Sequence, residues 1–243
     1  GPLVSGVLAQ WLPGPLHLTY AVHLVVQTLA TALVWNAPEV DPGDHPTPTV
    51  ARVVHTVTQP WFLRTVLLTA PWVFGCASVS FAVMPSVIGP LPGLPRIAAA
   101  GALAGLTLGT SVLLQPSMKR WASAHTTRVT AVGLAVTAVG MGLATAAALA
   151  PAWWWLPLIA VVLGSAHGLV LVGTMTTVEL RTPAELLAAT TAVTYCLTYI
   201  GFLSPYLIAV LSLAGPAWLA LAAGAGIALV TTAWLAGQRH PTT

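Results

Sequence analysis

Two apolar stretches, 96–114 and 129–150, flank the segment Gln115–Arg128, QPSMKRWASAHTTR. Each flank has about 20 residues with no charge in its interior, the length a helix needs to cross roughly 30 Å of hydrocarbon. The segment between them holds Lys119, Arg120 and Arg128, three of the eight Lys and Arg residues in the chain. A helical hairpin with a basic turn places that turn on the cytoplasmic side of a membrane. Counting crossings from it assigns a side to every other loop.

Composition agrees. Of 243 residues, 57% are hydrophobic and 5% charged, against about 25% charged in a soluble domain. The chain reads as an integral membrane protein. Its net charge of +3 is spread over short loops, so no nucleic-acid partner is implied. Cys76 and Cys196 both fall in apolar segments and read as packing residues, without a disulfide framework or metal spacing. No Gly-rich phosphate loop precedes a lysine, and no cofactor is expected. The first run, 1–12, would span only about 18 Å as a helix. It is expected to be the second half of a transmembrane helix, so the sequence reads as part of a longer chain.

Further segments follow in order. Residues 17–35 form the second. The polar stretch 36–63 carries Glu39, Asp41 and Asp44 and five prolines. Within it Thr47-Pro48 is a helix start, and Val50, Val53, Val54 and Val57 make the apolar stripe of a short helix lying on the membrane surface. Residues 64–88 are the third segment, interrupted by Pro71 and Pro85, and 89–95 is a tight turn. Gly101, Gly105 and Gly109 repeat every four residues in the fourth, and Gly133, Gly140 and Ala144 recur in the fifth. Such small residues let neighbouring helices approach closely. Trp153, Trp154 and Trp155 mark an interfacial belt before the sixth. Thr182-Pro183-Ala184-Glu185 reads as a capping box opening the seventh. There Ser204 is placed to satisfy the carbonyl freed by Pro205. Residues 217–236 are the last segment.

Alternating sides from the basic turn puts Arg52, Arg64, Lys119, Arg120, Arg128, Arg181 and Arg239 together, with Arg96 alone opposite. Seven of eight on one side fits the positive-inside rule, seven full crossings plus a half helix, and a cytoplasmic C-terminus.

The last six segments, and the polar stretch before them, resemble the C-terminal half of a major facilitator superfamily transporter. Gly1-Pro2-Leu3-Val4-Ser5-Gly6 is similar to the tail of that family's fifth-helix motif GPxxGG, with Ser5 in place of the first paired glycine. Gln115-Pro116-Ser117-Met118-Lys119-Arg120 resembles its basic loop between helices eight and nine, and Arg181 to Glu185 the loop before helix eleven. The resemblance implies an all-α polytopic membrane bundle. Residues 1–35 would be the remnant of an N-terminal half, 36–63 the cytoplasmic loop between halves, and 64–243 the C-terminal six-helix half. It also implies secondary active transport of a small molecule by alternating access, coupled to protons or another ion, with export favoured by the Gly1-Pro2…Gly6 remnant. The chain would sit in the cell membrane with a missing N-terminal half needed to complete its cavity.

Catalysis finds no support. All five acidic residues lie in loops, and no nucleophile–base pair can be read from spacing. His167, beside Ser165 in GSAHG, lies near the middle of the sixth segment. An ionisable group at that depth is a coupling or substrate-binding candidate; the alternative is a neutral imidazole bridging two helices. By resemblance, helices seven and ten line the substrate path and eleven stands between the halves. That singles out Trp72, Phe74, Ser78 and Phe81, with Tyr195 and Tyr199 one helical turn apart on one face. Pockets for amphipathic molecules combine such apolar walls with a few polar groups. A membrane-embedded enzyme, or a non-transporting scaffold or sensor, are the other readings.

Overall fold

The computed structural model describes residues 1–35, 37, 49–89 and 91–238. Glu39, Asp41, Asp44, the Thr47-Pro48 helix start, Pro90 and Arg239 lie outside them. Among the described residues the chain is helical and contains no strand. The elements are α1 (Pro2–Trp11), α2 (Pro15–Trp35), α3 (Val50–Val57), α4 (Phe62–Ile88), a 54-residue run Arg96–Leu149, α7 (Trp155–Arg181), α8 (Ala184–Leu211) and α9 (Ala217–Gly237).

Six of these helical runs are long and apolar enough to cross a membrane. A straight helix of 54 residues would be about 81 Å long, far more than a bilayer. The run breaks instead at His125, whose φ of −145° and ψ of 54° leave the helical region. Its arms, α5 (96–124) and α6 (126–149), are each long enough to cross. The basic segment is therefore not the 14-residue loop expected. Helix continues through Gln115, Pro116, Lys119 and Arg120, and one residue makes the turn. The side chains from Gln115 to Arg120 are compatible with helix apart from Pro116. That proline sits beside exposed Val112 and Leu113, on the outer face of α5.

Packing contacts give the direction of each helix. Gly164 lies on the backbone of Thr107 and Gly168 on Ser111, so α5 and α7 run parallel. Gly173 meets Thr130, Gly133 meets Val170 and Gly140 meets Leu163, so α6 runs antiparallel to α7 and folds back along α5. Cys76 lies on the carbonyl of Leu163 and Thr69 on Thr174, making α4 antiparallel to α7. Gly75 meets Gly201 and Ser78 meets Ser204, making α8 parallel to α4. The result is an up-and-down bundle in which consecutive spans alternate. Hydrocarbon offers no hydrophobic drive between helices. Glycine at these crossings matters because it admits close van der Waals packing.

The glycine stripe of α5 is used in part. Gly101 packs backbone to backbone on Gly6 and the carbonyl of Pro2 in α1, and Gly105 packs on Leu3, while Gly109 meets nothing within 4 Å. In α6, Gly133 and Gly140 seat on α7 and Ala144 is buried. No residue in the apolar window of α2 is buried.

Buried hydroxyls recur through the bundle. Thr107, Thr130, Thr137, Thr177 and Thr194 each donate to a carbonyl one turn back in their own helix. This satisfies the group without a partner helix. Ser80 with Thr107 and Thr69 with Thr174 instead link helices, at 2.9 and 3.0 Å.

Four local expectations are corrected. Pro71 and Pro85 do not interrupt the third segment. α4 widens into π-helical turns at Phe62–Val66 and Val79–Val83, and the second contains Phe81, whose usual amide donor four residues on is removed by Pro85. The valine stripe of α3 is split: Val53 and Val57 face inward with buried Thr56, while Val50 and Val54 are exposed, and the N-cap is Thr49. The Thr182 hydroxyl makes no hydrogen bond, so the cap half of the expected box is unmade; α8 starts at Ala184, and Glu185 pairs with Arg52 at 2.8 Å. Ser204 turns to the neighbouring helix, bonding Ser78 at 2.8 Å and the Gly75 carbonyl at 3.2 Å.

Charge is segregated between the two ends of the bundle. Trp234, late in α9, and Gln238, just past its end, both donate to the carbonyl of Arg64. Arg52 pairs with Glu185, and Arg128 and Arg181 share a groove beside the His125 turn. Lys119 and Arg120 lie on the last turns of α5. Arg96 starts α5 at the other end, in a groove with Gly89, Leu91 and Leu156.

Candidate functional site

His167 lies 12 residues into the 27-residue helix α7, roughly 18 Å from one end and 21 Å from the other. It is 5% exposed. Glycine at 164 and 168 lets α5 approach closely, and that approach brings Ser111 within reach. Nδ1 of His167 and Oγ of Ser111 are 2.8 Å apart. The other ring nitrogen, Nε2, is buried with no hydrogen-bond partner. A buried polar atom without a partner is costly and rare. The Thr182 and Thr190 hydroxyls are likewise buried without a partner among the described residues; of the three, Nε2 alone belongs to a titratable side chain.

One aromatic ring packs on the imidazole. Phe74 of α4 lies 5.4 Å from it, centroid to centroid, tilted by 51°. Phe74 also stacks with Phe202 at 4.6 Å and 17°, and with Tyr199 at 5.4 Å and 14°. Tyr199 and Phe202 are 55% and 46% exposed, so the stack runs from the surface of the bundle to the buried imidazole. The α4–α8 crossing makes it possible. Gly201 sits against the carbonyl of Pro71 and the backbone of Phe74 and Gly75, with no room for a side chain. A short 3-10 turn at Gly201–Leu203 then turns Phe202 onto Phe74. The Ser78–Ser204 hydrogen bond secures the same crossing one turn further on.

The structure brings together His167, Phe74 and Tyr199 from the residues singled out in sequence, with Ser78 beside them. Others stand apart. Ser165 is two positions from His167, about 200° around the helix, and its hydroxyl donates to Val161 on the outer face. Trp72 packs beside Val73, Leu134, Val170 and Leu235. Phe81 lies two turns further along α4 and lines the grooves nearer Arg96 and α1. Tyr195 is exposed one turn before Tyr199. Gly6 and the Pro2 carbonyl serve the α1–α5 contact, and Gly1 caps α1 from an exposed position. Ser111, Phe202 and Gly201 escaped the sequence reading, and Ser204 was given a different partner there. Thr107 and Ser111 four apart, and Gly201 four before Pro205, were the signals available for them.

No group of three or more His, Cys, Asp or Glu side chains among the described residues is placed to hold a metal ion. Compared with protein-family models, curated proteins and solved structures, the chain finds no match in any of the three.

Proposed function

We propose that this chain forms one wall of a secondary transporter of the major facilitator type, moving a small amphipathic molecule by alternating access with coupling to protons or another ion. One observation carries the reading: a mid-span histidine with an unpartnered nitrogen, in contact with Phe74 of an aromatic stack whose outer members, Tyr199 and Phe202, are exposed. Intramembrane ionisable groups at such depth serve ion and substrate paths. Rings beside one polar handle suit an amphipathic solute. In this reading Phe74, Tyr199 and Phe202 contact the solute, and His167 binds it or the coupling proton. Substrate sites in such transporters lie near the midplane between two repeats, so a second helical unit supplies the facing wall. Export is the favoured direction.

Orientation follows from the charged ends. The end carrying Arg52, Arg64, Lys119, Arg120, Arg128 and Arg181 is assigned to the cytoplasm. Cysteine at Ser117, in a Cys196→Ser background, should resist an impermeant thiol reagent in intact cells, and cysteine at Leu94 should react. Leu94 is chosen over Gly93 because Gly93 sits at φ +74°, where a side chain is strained. Reaction at Ser117 with protection at Leu94 would invert the assignment.

Transport itself is tested in cells lacking their own efflux pumps. Expression of the complete reading frame that contains this chain should lower steady-state accumulation of a lipophilic aromatic dye, and a protonophore should abolish the effect. Dye accumulation unchanged by expression, at a confirmed protein level in the membrane, would count against a transporter of such molecules.

A further inference from the structure

Between the His125 turn and the last turn of α7 lies a groove of about 450 Å³. Arg128 and Arg181 line it, with His125, Thr126, Thr127 and Thr177. None of its lining residues is acidic, and the ion pair recorded among the described residues, Arg52 with Glu185, is elsewhere. Glu179, in that same last turn of α7, is not among the lining residues.

Two guanidinium groups around one concavity repel unless an anion lies between them. Their planar forks match the oxygens of a phosphate bidentately, which an ammonium cannot do. Thr126 and Thr127 offer further donors, whereas the Thr177 hydroxyl already donates to Gly173. The volume far exceeds one inorganic phosphate and leaves room for an esterified glycerol. Depth also fits. α5 and α6 exceed the roughly 20 residues needed for the hydrocarbon, so their junction lies at the level of the headgroups. Leu180 and Trp121, 66% and 40% exposed, stand near that junction, where acyl chains begin. The groove at the opposite end of the bundle has Arg96 as its single cation.

We propose that this groove binds the phosphate of an anionic phospholipid headgroup from the leaflet on that side. Phosphate chemistry alone would also admit a free phosphate ion, and the experiment separates the two. The purified chain is placed in bilayer nanodiscs containing phosphatidylglycerol or only phosphatidylcholine, and co-purifying lipid is measured by native mass spectrometry with and without millimolar inorganic phosphate. Phosphatidylglycerol should be retained over phosphatidylcholine. The double variant Arg128→Gln with Arg181→Gln should lose retention by about 25-fold, roughly fivefold per cation facing an anionic headgroup. Removing the same charge outside the groove, by Lys119→Gln with Arg120→Gln, weakens only the general attraction of the surface for anionic lipid and should lower retention clearly less than the groove pair does. Arg128→Lys with Arg181→Lys keeps the charge, guards against misfolding, and should retain lipid better than the glutamine pair. Equal losses for the two glutamine pairs, or no preference for phosphatidylglycerol, would overturn the groove as a site. Displacement of the lipid by inorganic phosphate would overturn the headgroup assignment.

Discussion

Gly201→Ala should cost about 1–3 kcal/mol of stability, the range for forcing one extra methyl into a packed interior. Thermal unfolding in detergent would read it. The added carbon would meet the carbonyl of Pro71 and the amide of Gly75, and lie 3.0 Å from the carbonyl carbon of Phe74. All three are backbone atoms of α4 and cannot rotate away as a side-chain tip can. α8 would have to shift outward, taking Tyr199 and Phe202 off Phe74 and weakening the Ser78–Ser204 bond. Gly142→Ala supplies the contrast. No heavy atom lies within 4 Å of the position its methyl would take, and the residue is inside α6, where alanine is the better helix former by about 1 kcal/mol. That variant should be neutral or slightly more stable. Equal behaviour of the two would mean that the α4–α8 crossing is looser than its geometry.

The second large effect belongs to His167. His167→Leu removes the bond to Ser111 and the unpartnered nitrogen together. It should cost about 1–2 kcal/mol for a lost interhelical hydrogen bond and abolish transport. His167→Gln keeps a donor and an acceptor but cannot titrate. It should fold near normally, yet lose the pH dependence of transport, because an amide side chain does not change its charge with pH. Ser111→Ala leaves the imidazole in place with both nitrogens unpartnered. It should destabilise more than Thr137→Ser, a change that keeps the hydroxyl bonded to Gly133 within its own helix. If His167→Gln transports with an unchanged pH profile at normal protein level, the imidazole is a bridge between helices.

Much of this architecture is written in the sequence because a membrane narrows the choices. Apolar runs of about 20 residues must be helices, and the asymmetric arginines fix how they alternate. Hence the positions of α2, α4, α8 and α9 were legible to within a few residues, as was the start of α7. What escaped was set by contacts between segments. The stretch Gln115–Arg128 looks like a loop by its polarity, but a helix extending beyond the hydrocarbon is equally content with Lys119 and Arg120 in water. Thr182 and Glu185 have the spacing of a capping box, yet Arg52, 133 residues before Glu185, competes for the carboxylate. Ser204 similarly found a better partner in Ser78 than in its own helix.

The site divides the same way. His167 stands out in sequence because a titratable group amid apolar residues is costly, and Tyr199 because it repeats Tyr195 at helical spacing. Which face of α7 matters could not be read from GSAHG alone. The glycines on either side of His167 decide it, since they draw α5 close enough for Ser111 to bond the ring. Phe202 became a partner of Phe74 only through the 3-10 turn at Gly201.

In the proposed transporter the surface around Tyr199 and Phe202 faces a water-accessible cavity, and thiol labelling addresses this directly. Cysteine would be placed at Tyr199, and separately at Val230, in the Cys196→Ser background; Val230 is 71% exposed on the outer side of α9. Both are then treated in native membranes with a charged, water-soluble thiol reagent. The account predicts labelling at Tyr199, slowed by a lipophilic aromatic compound, and none at Val230. Tyr199→Cys as unreactive as Val230→Cys would place the aromatic stack against lipid and contradict the account.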